Sequence, residues 1–196
     1  MSRTAILGVV VTLLASLAAS SLTAQDLFLG RTLPVGTGPV SIAAADLNLD
    51  GRPDLITANG TAGTLSLLLA ERSGFAAHAD LAVGPDLRQV LAADLDNDGW
   101  PDLVTRHGND TVEVRLQVAP SSYALTGSFA TGGAGTMRMA TGDFNEDGAL
   151  DLVVANQWTD TVTLLLGDGN GQLGAATSFA VHNIAPEVVA RPRNLV

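Results

Sequence analysis

One nine-residue acidic pattern occurs three times in this chain: Asp46-Leu47-Asn48-Leu49-Asp50-Gly51-Arg52-Pro53-Asp54, Asp94-Leu95-Asp96-Asn97-Asp98-Gly99-Trp100-Pro101-Asp102 and Asp143-Phe144-Asn145-Glu146-Asp147-Gly148-Ala149-Leu150-Asp151. Each copy sets oxygen-bearing side chains at positions 1, 3, 5 and 9 and glycine at position 6, the arrangement by which a chain wraps oxygens around a hard cation such as Ca²⁺. Left alone, carboxylates this closely spaced repel one another, and a bound dication removes the repulsion. The glycine suits a sharp reversal after position 5, where a residue free to take positive φ is favoured.

The loop follows an EF-hand for its first half and then departs from it. An EF-hand delivers a bidentate Glu at position 12, whereas position 12 here is Thr57, Thr105 or Val154. The last side-chain ligand is therefore expected from Asp54, Asp102 and Asp151, with the backbone carbonyls of Arg52, Trp100 and Ala149 at position 7 assisting. The expected metal sets are thus Asp46, Asn48, Asp50, Arg52 and Asp54; Asp94, Asp96, Asp98, Trp100 and Asp102; and Asp143, Asn145, Asp147, Ala149 and Asp151. After each ninth-position Asp comes a short apolar run, Leu55 to Ala58, Leu103 to Thr105 or Leu152 to Ala155, whose brevity and β-branched content predict a buried strand rather than a helix.

The loops mark a longer repeat. Their first aspartates, Asp46, Asp94 and Asp143, stand 48 and 49 residues apart, a spacing seen in propeller blades. Each period reads as four strands. The first (Val40 to Ala45, Arg88 to Ala93, Thr136 to Thr141) leads into the loop and the second follows it. The third is Thr64 to Leu69, Thr111 to Val118 or Thr161 to Leu166. In the middle copy Val112, Val114, Leu116 and Val118 alternate with polar residues, the pattern of a half-buried strand. The fourth is expected over Phe75 to Val83, Tyr123 to Thr131 and Leu173 to Val181, after turn-rich stretches. Small residues such as Ala43, Ala44, Ala45, Ala92, Ala93 and Ala140 on the first strand suit blades whose inner strands crowd an axis. The fold class expected is all-β, with about three four-stranded β-propeller-type blades over residues 36–83, 84–132 and 133–182.

The acidic loop, the apolar strand ending in Ala58-Asn59 or Ala155-Asn156, the Gly167-Asp168-Gly169-Asn170-Gly171 turn and Phe179-Ala180-Val181 together resemble the FG-GAP-like, or VCBS, repeat of secreted bacterial proteins. That repeat is related to the blades of the integrin α-subunit N-terminal propeller. The resemblance spans roughly residues 36–190 and implies a metal in the loop between the first two strands of each blade. Two departures stand out: the aromatic at the start of strand four is Phe75 in the first copy but Tyr123 and Leu173 later, and the second copy lacks the Gly-Asp-Gly turn.

The chain opens with Arg3, an apolar run from Thr4 to Ala15 and small residues through Ala18, Ala19, Ser20 and Ser21 to Ala24. The run is too short for a bilayer span and suits a signal peptide over residues 1–24, cleaved after Ser21 or Ala24, with a leader over 25–35. A secreted, cell-surface or periplasmic location is expected, with no stable membrane span after cleavage. Ten of the twenty acidic residues occupy the expected ligand positions of the loops, and three Ca²⁺ would bring the net charge from −10 to −4. No basic stripe exists to neutralise phosphates, which argues against a nucleic-acid partner. Without cysteine, no disulfide staples the fold, and metal is the expected stabiliser.

Pro186 to Ala190 restarts the pattern of Pro39 to Ala43, but Arg193 falls where the next Asp belongs. With closed propellers needing more blades, a partial repeat array is expected, whose uncovered faces favour self-association. His78, His107 and His182 are isolated, no nucleophile elbow is present and no His pair has metalloprotease spacing, so a non-catalytic module is expected. The acidic clusters read as ligands and Gly167 to Gly171 as a plain turn. The function expected is extracellular binding or adhesion toward a protein or glycan. Alternatives are a lectin-like propeller, with Trp100 and Trp158 as possible stacking platforms, or an accessory domain of a secreted enzyme.

Overall fold

The computed structural model describes residues 32–181, without the side chain of Met137. The expected signal at 1–24, most of the leader, His182, the restart at 186–190 and the tail at 191–196 lie outside these residues. Among the described residues there is no helix, and β-strands repeat in three four-stranded antiparallel sheets.

The first sheet runs β1 (Pro39–Ala45), β2 (Asp54–Asn59), β3 (Thr64–Leu68) and, as its outer strand, β6 (Ala79–Ala82). A two-residue ribbon, β4 (Ala70–Glu71) with β5 (Gly74–Phe75), interrupts it. The second sheet is an unbroken meander of β7 (Leu87–Ala93), β8 (Asp102–His107), β9 (Thr111–Ala119) and β10 (Ser122–Ala130). The third holds β11 (Thr136–Gly142), β12 (Asp151–Asn156), β13 (Thr161–Leu165) and β14 (Thr177–Ala180). Each acidic loop joins the first strand of a sheet to the second, and the inner strands β1, β7 and β11 pack in succession.

Two of the fourth strands differ from expectation. Phe75 pairs with Ala70 in the ribbon and Leu173 makes an isolated bridge to Gly167, so regular pairing resumes only at Ala79 and Thr177. The reason is local: Gly74 at φ 135° turns the chain back on Ala70, and Gly169 and Gly171 at φ 70° and 76° do the same against Gly167. In the second sheet Tyr123 pairs with Gln117 and the strand continues through two register shifts.

The cores lie between sheets rather than within them. Leu47, Ile56, Leu65, Leu67, Leu87, Val90 and Leu103 join the first two sheets; Leu95, Val104, Val112, Val114, Met139, Leu152, Val154 and Leu165 join the second and third. The middle sheet is therefore covered on both faces, which corrects the half-buried reading of β9. Val112 and Val114 are fully buried toward the third sheet, but Val118 is 64% exposed. The polar face is buried too. Arg115 pairs with Glu113 at 2.7 Å and reaches the Val83 carbonyl, and the Gln117 amide donates to the Leu47 carbonyl at 2.8 Å. A second buried amide, Gln89, clamps the backbone of Met139 by donating to its carbonyl and accepting from its N–H at 3.1 Å. Polar residues on a covered face must find such partners, and these do.

The terminal faces show the same positions uncovered. Ile42, Val90 and Met139 occupy equivalent places, opposite Thr57, Thr105 and Val154. Val90 and Met139 are buried between sheets, whereas Ile42 is 62% exposed.

Candidate metal centres

The three acidic loops share one pattern of hydrogen bonds from backbone N–H groups to side chains. The first aspartate takes the N–H groups of positions 5 and 6 on its two oxygens: Asp50 and Gly51 on Asp46, Asp98 and Gly99 on Asp94, Asp147 and Gly148 on Asp143, at 2.7–3.2 Å. The side-chain oxygen at position 3 accepts from the position-5 N–H, and the position-5 carboxylate accepts from the N–H of Arg52, Trp100 or Ala149. These bonds bring the side-chain oxygens of positions 1 and 3 together on the position-5 N–H.

Two residues per loop take left-handed backbone. Gly51, Gly99 and Gly148 lie at φ 83°, 89° and 87°, as the sequence requires of position 6. Nothing stands within 4 Å of a side chain added there, so backbone angle and not space selects glycine. Position 4 is left-handed as well, in Leu49, Asn97 and Glu146 at φ 55°, 60° and 61°, which the sequence signalled only through Asn97. Leu49 is half exposed and gains nothing there from burial. Leu49→Asn is expected to stabilise the protein by about 0.5–1 kcal/mol, and Gly99→Ala to destabilise it by about 1 kcal/mol or more, because only Asn and Gly enter this region cheaply. Urea unfolding of the two variants checks both signs.

The ninth-position aspartates are wholly buried in all three copies. Each ties its loop to the far end of the third strand. Asp54 accepts from the N–H of Leu47 at 2.8 Å and of Ala70 at 2.6 Å; Asp102 from Leu95 and Gln117, both at 2.8 Å; Asp151 from Phe144 at 2.9 Å and Gly167 at 2.8 Å. Each oxygen keeps a lone pair beyond these bonds.

The loops differ as cation sites. In the second, ligand oxygens of Asp94, Asp96 and Asp102 lie within 4.8 Å of one another. Burial first, and then the charges of Asp96 and Asp98, push the Asp102 carboxyl up to about 6, against two N–H bonds that pull it down. Asp96 is raised as well, by burial and by Asp98 and Asp94. A dication relieves this crowding directly. Asn48 and Asn145 stand in place of Asp96 in the other copies and donate to Asp50 and Asp147. In the first loop Arg52 also pairs with Asp50 at 2.5 Å. The third loop has Asp143, Asn145 and Asp147 all exposed. The donor set is all oxygen, as Ca²⁺ and Mg²⁺ require.

Asp168 closes its turn by accepting from the N–H groups of Asn170 and Gln172, and the turn's Gly171 N–H reaches the Leu95 carbonyl at 3.3 Å. His107 is buried with its ring nitrogens near the Pro85 carbonyl and Thr105, and His78 lies 3.5 Å from Asp80. Trp100 is half buried, whereas Trp158 is 78% exposed. No described helix is long and apolar enough to cross a membrane.

Residues 46–105 and 94–154 each match the FG-GAP-like repeat, together more than half of the chain. No curated protein compared with the chain matches it. Solved structures of propeller type do. A protein from Lactobacillus plantarum is 14% identical at a TM-score of 0.52, over 77% of this chain and 44% of its own. A lectin from Agrocybe aegerita, described as recognising non-reducing terminal N-acetylglucosamine, is 21% identical at a TM-score of 0.52, over 70% and 37%. A functionally unknown protein from Desulfotomaculum acetoxidans is 13% identical at a TM-score of 0.55, over 78% and 50%. The chain thus spans half or less of the length of each.

Proposed function

The chain belongs to the FG-GAP-like repeat family, and from that premise we propose that it is an exported, Ca²⁺-stabilised binding module of propeller-type blades with no catalytic role. The observation that carries this reading is the threefold recurrence of one loop geometry, with the oxygens of Asp94, Asp96 and Asp102 converging within 4.8 Å. Loops whose carboxylates are organised by backbone N–H groups, and in the second and third copies form no ion pair with a side chain among the described residues, are poised for a hard metal, and flexible all-oxygen sites with several protein ligands suit Ca²⁺ better than Mg²⁺.

Calorimetric titration of the chelated full chain is expected to give about three Ca²⁺ per chain, with the second loop tightest, and Asp98→Ala is expected to remove one. A stoichiometry near zero, or equal affinity for Mg²⁺, would sink the reading. The exposed terminal faces, Ile42 on one side and Phe144 on the other, support self-association as part of the same proposal. A glycan-binding reading is favoured by one further observation, the solvent-facing indole of Trp158.

A further inference from the structure

We infer that the cleft between the second and third sheets, at the strand ends away from the acidic loops, binds a sugar acid, its ring against Trp158 and its carboxylate on Arg106. The cleft has a volume of about 350 Å³, within the size range of small-molecule sites. Arg88 at the start of β7, Arg106 at the end of β8, Asp110, Gly135 and Trp158 line it. The inference builds on the binding-module reading but not on its calcium sites.

The repeat supplies the internal comparison. Arg106 stands opposite Gln89 where Ala58 stands opposite Ser41 and Ala155 opposite Arg138, so alanine suffices at this position in the other two sheets. Three residues further on, Trp158 takes the place of Thr61 and Asn109. The two departures from the repeat meet in one cleft.

Arg106 is only 8% exposed, yet no carboxylate pairs with it among the described residues. Its Nη1 donates to the Thr136 carbonyl at 2.6 Å and its Nε has no partner. A buried guanidinium with no carboxylate in contact and an unpartnered Nε is costly, and stability alone does not account for it. Burial first, and then the charges of Arg88 and Arg138, depress its pKa, against Asp110 and Asp86, which raise it; Arg88 is itself paired with Asp86 at 2.5 Å, so Arg106 is the cation of the cleft left without a contacting carboxylate. A ligand carboxylate answers the open Nε edge of Arg106 with charge-assisted bonds.

Trp158 supplies the rest. A Cβ at Gly135 would stand 2.6 Å from the indole, and Gly135 lies at φ 68°. The indole therefore rests on bare backbone with most of its surface in solvent, a platform rather than a core residue, and aromatic faces suit the C–H face of a pyranose better than a bare oxyanion. Asp110 accepts from the Thr136 N–H at 3.1 Å through Oδ1, and its other oxygen can take sugar hydroxyls.

The test uses the full chain with Trp100→Phe, which leaves Trp158 as the sole indole of the two present. Methyl glucuronide is expected to change its fluorescence saturably in the millimolar range or below, in calcium and in chelator alike. Methyl glucoside and inorganic phosphate are expected to bind at least about tenfold more weakly. Arg106→Met should remove the preference for the acid, and Arg72→Met, in an exposed turn, should not. Trp158→Ala removes an exposed side chain without threatening the fold, and calorimetry should show the glucuronide no longer bound. Equal binding of glucoside and glucuronide, phosphate competing as well as the sugar acid, an indifferent Arg106→Met or no saturable response at all would each overturn the inference. Loss of calcium binding with an intact Trp158 response would overturn the metal reading and leave this site standing.

Discussion

Asp102→Ala is expected to destabilise the protein by about 3–5 kcal/mol even in chelator, because it strands the buried N–H groups of Leu95 and Gln117. Asp98→Ala, in the same loop, is expected to change the chelated protein by no more than about 0.5 kcal/mol, since its bond to the Trp100 N–H is at the surface. In calcium both variants lose an ion. Urea unfolding with and without chelator separates the two roles: position 5 serves the metal alone, position 9 serves metal and fold together. Equal losses in chelator would show that the buried bonds of Asp102 are worth little and that its place in the loop is for the cation only.

The second large effect concerns loop position 2. Leu95 is 3% exposed and packs among Val112, Val114, Met139 and Leu152, so Leu95→Ala is expected to cost about 2–5 kcal/mol. Phe144 holds the same loop position but is 53% exposed, with no fourth sheet over it among the described residues. Phe144→Ala is expected to leave the unfolding free energy of the monomer nearly unchanged and to weaken association between chains, read by light scattering at micromolar concentration. A monodisperse wild-type monomer at that concentration would remove the association half of this prediction; a large stability loss for Phe144→Ala would show that the residue is covered in solution.

Much of this architecture was legible because its signals are local. Asp, Asn and Gly at fixed offsets dictate the Asx-type bonds within each loop, and the period of 48 and 49 residues between Asp46, Asp94 and Asp143 fixed the number of sheets. What escaped depends on partners distant in sequence. Asp54, Asp102 and Asp151 read as terminal ligands, yet their bonds to the N–H groups of Ala70, Gln117 and Gly167 span 15 or 16 residues. Arg115 and Gln117 read as the wet face of a strand, because nothing in a period of two reveals that another sheet will cover it. The breaks at Phe75 and Leu173 come from glycine geometry that overrides an otherwise acceptable strand pattern. Position 2 did carry a signal, an apolar residue inside every acidic loop, but its meaning appears only once the next sheet is in place.

Leu47 and Leu95 are held from three directions: the N–H by the ninth aspartate of their own loop, the side chain by the intersheet core, and the carbonyl by the following sheet, through Gln117 Nε2 or the Gly171 N–H. A cation that stiffens such a loop therefore favours docking of the neighbouring sheet, and docking raises affinity for the cation by the same factor. In a stack of nearest-neighbour units, calcium bound at the proposed sites would set cooperativity: where it is scarce the sheets are expected to unfold in separate steps, and where it is plentiful to melt as one.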